Sequence, residues 1–183
     1  MPASVYIATS LDGFIARENG DLDWLNTHSG GTDDGGDYGY GAFMAGIDAL
    51  VMGRGTYEKV LTFGGWPYGD KPVVVLSHRP VEFPGHVPAC VEAMSGTPQE
   101  IVSALASRGW HRLYVDGGKT VQAFLDAGLV DRLIISRIPV LIGRGIPLFG
   151  PLSRDIRLRH VDTRAYANGL VQSEYAINPP ASA

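Results

Sequence analysis

Short apolar runs recur along the chain, separated by stretches with helical periodicity. Val5-Tyr6-Ile7-Ala8, Ala49-Leu50-Val51-Met52, Val73-Val74-Val75-Leu76, Leu113-Tyr114-Val115 and Leu133-Ile134-Ile135 are continuous rather than alternating, which predicts strands buried on both faces. Between the first two runs, Tyr40, Phe43, Met44 and Ile47 fall at i, i+3, i+4 and i+7. That spacing predicts one apolar face of a helix over Asp37 to Ile47. Thr97-Pro98-Gln99-Glu100 has capping-box spacing with Pro at the first helical position, and Ile101, Val102 and Leu105 follow on one face before Gly109. A third helix is expected from about Lys119 to Ala127, ending at Gly128.

Alternating strand and helix signals define an α/β chain. From Asp131 onward the pattern changes to strands around Ile134, Leu158 and Val171 without a convincing helix between them, and Asn168-Gly169 is a hairpin turn signal. The expected architecture is a mostly parallel central sheet finished by an antiparallel C-terminal edge hairpin, in one domain over residues 1–183. Arg17 to Gly36, rich in Gly, Asp and Asn, is expected to form a flap near the end of the first strand.

Composition narrows the function. A formal net charge of -4 argues against nucleic acid as a partner. Cys90, the single cysteine, cannot close an intrachain disulfide, which fits a reducing compartment. Every apolar stretch is cut by Arg, Pro or Gly before membrane-spanning length, so no membrane association is expected and a cytoplasmic location is. His28, His78, His86, His111 and His160 show no paired ligand spacing, and no metal is assigned.

Two strand-to-helix turns carry the candidate chemistry. Met52-Gly53-Arg54-Gly55-Thr56-Tyr57-Glu58 and Val115-Asp116-Gly117-Gly118-Lys119-Thr120 each lead from a buried strand through glycine into a helix start. Unpaired amides there can face an anion, and glycine lets a phosphate come close. Each turn alone also reads as an ordinary helix start. A pair in one small sheet suits the linked phosphates of a dinucleotide at the carboxyl ends of strands. Ser77-His78-Arg79, at a third strand end and with Arg54 nearby, suits a ribose 2′-phosphate and favours NADPH over NADH. Gly118-Lys119-Thr120 copies the end of a nucleoside-triphosphate loop, but Leu113 stands where that motif needs glycine, and no GxGxxG follows the first strand.

Tyr6 to Ala16, Val51 to Glu58, Val115 to Gly118 and Ile138 to Phe149 resemble the reductase domain of bacterial riboflavin synthesis, within the dihydrofolate reductase superfamily. The resemblance implies a three-layer αβα fold of the dihydrofolate reductase type and a homodimer. It implies that Ala8 and Ile15 hold the nicotinamide carboxamide. Gly53, Arg54, Gly55, Thr56, Ser77, His78 and Arg79 would hold the adenosine-side phosphates, and Gly117, Gly118, Lys119 and Thr120 the pyrophosphate. Phe14 stands where the riboflavin enzymes usually carry Lys, and the zinc deaminase motifs often fused to them are absent, as in the stand-alone branch of the family.

Hydride transfer to a C=N bond also needs a proton at nitrogen. Asp37, one turn before Tyr40 and at the interval from Gly53 that dihydrofolate reductases use for their substrate acid, is the candidate catalytic and substrate-binding carboxyl; its other reading is an N-cap. Asp12 is a second substrate contact or a turn former, and Trp24 a pocket wall or a core residue. The expected activity is NADPH-dependent reduction of a pterin-like or aminopyrimidine-like ring. The alternatives are 5-amino-6-(5-phosphoribosylamino)uracil reduction and a non-catalytic NADP-binding sensor.

Overall fold

Side-chain alternation within the buried strands decides which helices cover which face. The computed structural model describes residues 3–26 and 36–177. In chain order it contains β1 (Ala3–Ser10), β2 (Phe14–Ala16), α1 (Asp23–Asn26), α2 (Tyr40–Ala45), β3 (Ala49–Gly53) and α3 (Arg54–Val60), which runs into a tight turn over Leu61–Phe63. Then come β4 (Val73–Leu76), β5 (Val91–Met94), α4 (Pro98–Ser107), β6 (Leu113–Asp116) and α5 (Gly118–Asp126). The chain closes with β7 (Val130–Ile138), β8 (Ile146–Pro147), β9 (Leu158–Ala165) and β10 (Val171–Ile177).

The main sheet has eight strands in the order β5-β4-β3-β6-β1-β7-β10-β9. All pairings from β5 to β7 are parallel. β10 runs antiparallel to both β7 and β9, as expected of the C-terminal hairpin. A small second sheet pairs β2 with β8. On one face Val5, Ala49, Val51, Val74, Leu113 and Val115 pack under Ile101, Leu105, Val121 and Phe124 of α4 and α5. On the other, Leu50, Met52, Val73, Val75 and Tyr114 pack under Phe43 of α2 and Tyr57 of α3. The result is the three-layer α/β/α arrangement, and both faces of β3 and β4 are dry because helices lie on each side.

The capping box of α4 is complete: Thr97 Oγ1 accepts from the Glu100 amide at 3.3 Å, and Glu100 Oε2 accepts from the Thr97 amide at 2.7 Å. Helix α2 is shorter than its periodicity predicts. Tyr38 and Gly39 sit at φ 58° and 87°, so the backbone enters the helical region only at Tyr40. Ile47 still packs on the same face from beyond the helix end. β5 has no counterpart in the sequence reading, because four residues with Glu92 in the middle do not form an apolar run.

The Asn168-Gly169 hairpin closes through Tyr166, whose amide donates to the Leu170 carbonyl at 2.9 Å. All eight residues of β9 are exposed. The first part of the expected flap is a turn and the one-turn helix α1, tied down by Arg17 to Asp23 at 2.6 Å; residues 27–35 lie outside the described residues. Among the described residues no helix is long and apolar enough to cross a membrane.

Candidate functional site at the carboxyl rim of the sheet

Because β4, β3, β6 and β1 are adjacent and parallel, their carboxyl ends share one rim. Gly53 pairs with Leu76 and Met52 with Asp116. Ser77-His78-Arg79, Gly53 to Thr56 and Gly117 to Thr120 therefore leave the sheet side by side. The two glycine turns interlock. A Cβ on Gly53 would lie 2.9 Å from Thr120 Oγ1, and one on Gly117 would collide with Thr56 Oγ1. Each turn's threonine thus fills the space over the other turn's glycine. Gly117 also takes φ +89°, a conformation that side chains rarely tolerate. Neither α3 nor α5 has a side-chain cap, so their first amides are left for another partner.

The neighbouring elements close on the same place. Ile15 Cδ1 and the Pro147 carbonyl oxygen lie 3.1 and 2.9 Å from where a Gly118 Cβ would sit, which puts β2 and β8 against the second glycine turn. Ala8 is half-buried beside Ile138 and Leu170. The Ser77 hydroxyl donates to the Arg79 carbonyl at 2.7 Å and accepts from the Arg79 amide at 3.1 Å, a closed turn that leaves His78 and Arg79 exposed. Arg54 is held by Glu58 at 2.6 Å, whereas exposed Lys119 has no ion pair among the described residues.

On the α2 side of this rim lies a cluster of aromatic side chains. Tyr6 meets Tyr40 and Phe43 with ring centroids 5.4 and 5.0 Å apart, Phe43 meets Tyr114 at 5.2 Å, and Trp66 meets Tyr68 at 5.4 Å. Trp66 Nε1 is buried without a hydrogen-bond partner among the described residues. Asp116, the last residue of β6, points to the same side as Tyr114 by strand alternation. Burial pushes its carboxyl from 3.8 up to about 6. Burial raises the phenols of Tyr40, Tyr68 and Tyr114, and the Asp116 charge adds to it. Its Oδ1 accepts from the Gly117 amide at 2.8 Å; the other oxygen has no hydrogen bond among the described residues.

Sequence reasoning quoted Asp116 only as part of a phosphate turn and overlooked its carboxyl. The available signal was the two-residue step from Tyr114, which places a charge at the end of a buried strand on the helix α2 side.

The carboxyls singled out in the sequence are both engaged by neighbouring groups. Asp37 accepts from the Gly39 amide at 2.9 Å and the Gly41 amide at 2.6 Å, and these amides hold its carboxyl below the usual range. An exposed carboxylate so committed is a cap for the chain entering α2 and a poor proton donor. Asp12 accepts from the Ser10 hydroxyl at 2.6 Å and from the Ile142 and Gly143 amides at 3.3 and 2.7 Å, clipping the loop after β7 onto the turn after β1. Trp24 is buried at 3% exposure against Ile138 and Leu170, the position of a core residue. Among the described residues, no group of three or more His, Cys, Asp or Glu is placed to hold a metal.

A mostly parallel sheet covered on both faces, with glycine turns and a carboxyl gathered at the carboxyl ends of its strands, is the α/β arrangement in which ligands bind outside those strand ends. The chain belongs to the RibD C-terminal domain family, whose family model matches residues 4–172. It is 36% identical over 174 residues to the uncharacterized protein YwjB of Bacillus subtilis strain 168, covering 93% of this chain and 95% of that one. A crystal structure from Shewanella sp. PV-4, named for riboflavin biosynthesis, is 41% identical, covers 97% of this chain and 99% of its own, and superposes with a TM-score of 0.89. Dihydrofolate reductase from Enterococcus faecalis, complexed with NADP(H) and RAB-propyl, shares the fold at 20% identity and a TM-score of 0.65, over 97% of this chain and 96% of that one. The fold is of the dihydrofolate reductase type.

Proposed function

We propose that this protein is an NADPH-dependent reductase of an amino-substituted heterocycle. The observation that carries the reading is the interlocking of the turns at Gly53 and Gly117, which brings two sets of uncapped amides together beside a buried carboxyl with a free oxygen. The rim fits a dinucleotide phosphate. Gly53 to Thr56 and Gly117 to Thr120 offer main-chain amides, Lys119 and Arg79 offer charge, and Ser77 and His78 border the place for a 2′-phosphate. Ala8 and Ile15 flank the position of the nicotinamide. Family membership and the NADP(H) complex of a protein with the same fold support this cofactor.

When bound, NADPH supplies hydride to a ring carbon, and the adjacent ring nitrogen takes a proton. Asp116 is the residue placed to handle that proton. A carboxyl with a pKa of about 6 exchanges it near neutrality, which Asp37, held low by two amides, does not. Tyr40 and Tyr68, whose phenols feel the Asp116 charge, offer aromatic faces for a flat ring to lie against.

NADPH at about one hundred times its dissociation constant is expected to add roughly 2.7 kcal/mol of stability, read as a rise in melting temperature. Oxidation of NADPH followed at 340 nm against dihydropterins and aminopyrimidines is then expected to reveal turnover. No melting shift overturns the reading. A shift without turnover on any ring leaves a cofactor-binding protein.

A further inference from the structure

Gln122 stands one helical turn beyond Gly118 on α5, so the two residues share a face of the helix. Strand β8 runs across that face. The Pro147 carbonyl oxygen lies 2.9 Å from where a Gly118 Cβ would sit. Gln122 Nε2 donates to that carbonyl at 3.2 Å and to the Leu148 carbonyl at 3.1 Å. Glycine makes room for the strand, and glutamine holds it there. The side-chain amide is itself confined, because a Cβ at Gly150 would come within 2.6 Å of its Oε1 and 2.9 Å of its Cδ. With two carbonyls to meet, only the NH2 end of the amide can face β8.

Strand β8 needs this support. It is two residues long, Pro147 has no amide to donate, and its pairing with β2 is irregular between Phe14 and Ala16. A two-stranded ribbon of that size does not hold its place alone. Buried Leu148 fixes one end, its amide donating to the Gly13 carbonyl at 3.0 Å. Among the described residues, the hydrogen bonds that join β8 to α5 are those of Gln122. Through β8 they bear on β2, which carries Ile15, and Ile15 Cδ1 lies 3.1 Å from the Gly118 Cβ position.

We propose that Gln122 is a positioning residue for the dinucleotide: by holding β8 on the first turn of α5 it keeps the strand that flanks the nicotinamide in register with the turn that takes the pyrophosphate. This rests on the reductase reading for the identity of the two subsites. Gln122 acts through β8 and β2, not on the cofactor directly. Its loss therefore loosens the nicotinamide half and spares the adenosine half, which lies on the turns at Gly53 and Ser77.

Two ligands that differ only by the nicotinamide separate this role from a general contribution to folding: NADP+ and 2′-phospho-ADP-ribose. Each is titrated calorimetrically into wild type, into Gln122→Glu, which turns a carboxylate toward the two carbonyls, and into Gln122→Met, which keeps the length and loses the donor. Both variants are expected to bind NADP+ about tenfold more weakly than wild type and 2′-phospho-ADP-ribose within about threefold of it. The retained fragment affinity shows the variants folded. Amide exchange in the free proteins reads the clasp itself. The Leu148 amide is expected to exchange about tenfold faster in the variants, while the Val121 amide, bonded to the Gly117 carbonyl at 2.9 Å, keeps its wild-type rate. Equal weakening of both ligands overturns the proposal, and so does an unchanged NADP+ affinity or an unchanged Leu148 exchange. If wild type binds neither ligand, the reductase reading has failed and the positioning role falls with it, whereas faster Leu148 exchange in the variants still shows that Gln122 holds β8.

Discussion

Asp37 and Asp116 lie on the same side of the sheet, one at the mouth of α2 and the other at the end of β6, and their surroundings push them in opposite directions. Asp37 is exposed and accepts two main-chain amides, so its charged form is favoured. Asp116 is crowded by rings and accepts one amide, so its charged form is disfavoured. The number of donors and the access of water, more than the residue type or its interval from a motif, decide which carboxyl can carry a proton.

The largest expected effect tests this contrast directly. Asp116→Asn preserves the shape and removes the titrating group, and it is expected to lower turnover by about a hundredfold or more with NADPH affinity kept, whereas Asp37→Asn stays within about threefold of wild type. Steady-state rates on any ring that wild type reduces decide it, and the reverse ranking returns the proton to Asp37. The pH dependence has a definite sign. The folded-state pKa of Asp116 is raised to about 6, so between about pH 4 and 6 the folded protein holds a proton that the unfolded chain has lost. Stability therefore falls as pH rises through that window and levels off above it. Asp116→Asn is expected to melt higher than wild type at pH 8 and to lose that advantage below about pH 4, so it is a variant that gains stability as it loses rate.

A smaller effect tests the rim that both carboxyls face. Gly117→Ala places a methyl against Thr56 at φ +89°, and is expected to cost about 1–3 kcal/mol of stability and to weaken NADPH, because the two turns must move apart. Melting curves with and without NADPH measure both. Adding Thr56→Ala removes the Oγ1 that meets the new methyl and is expected to restore some of the loss; a Gly117→Ala protein as stable as wild type would show that the turns do not interlock.

What could be seen in the sequence follows the range of each signal. The capping box at Thr97, the hairpin at Asn168-Gly169 and the two glycine turns are encoded within a few residues, and the structure places them as expected. Parallel order also followed from the continuous apolar runs. The aromatic cluster beside Asp116 did not, because its members come from distant stretches: Tyr6 on β1, Tyr40 on α2, Trp66 and Tyr68 on the connection after α3, and Asp116 on β6. Asp37 drew notice through its interval from Gly53, but two amides supplied by the glycines after it determine its state. Asp116 was hidden because the two glycines beside it suggested phosphate binding for the whole turn.

The smallest expected effect concerns Asp37 alone. If its work is to hold the Gly39 and Gly41 amides, Asp37→Ala lowers the melting temperature by roughly a few degrees and leaves turnover near wild type. The pH dependence runs opposite to that of Asp116. A carboxyl held below its unfolded value stabilises the fold above that value, and the contribution is lost as pH falls through the lower folded pKa. The melting difference between Asp37→Ala and wild type is therefore expected to be full at pH 7 and to vanish in strong acid, where both chains have lost the charge. A difference that persists unchanged at low pH would mean that the side chain acts by packing. A large loss of turnover at unchanged melting temperature would mean that the exposed carboxyl meets substrate after all.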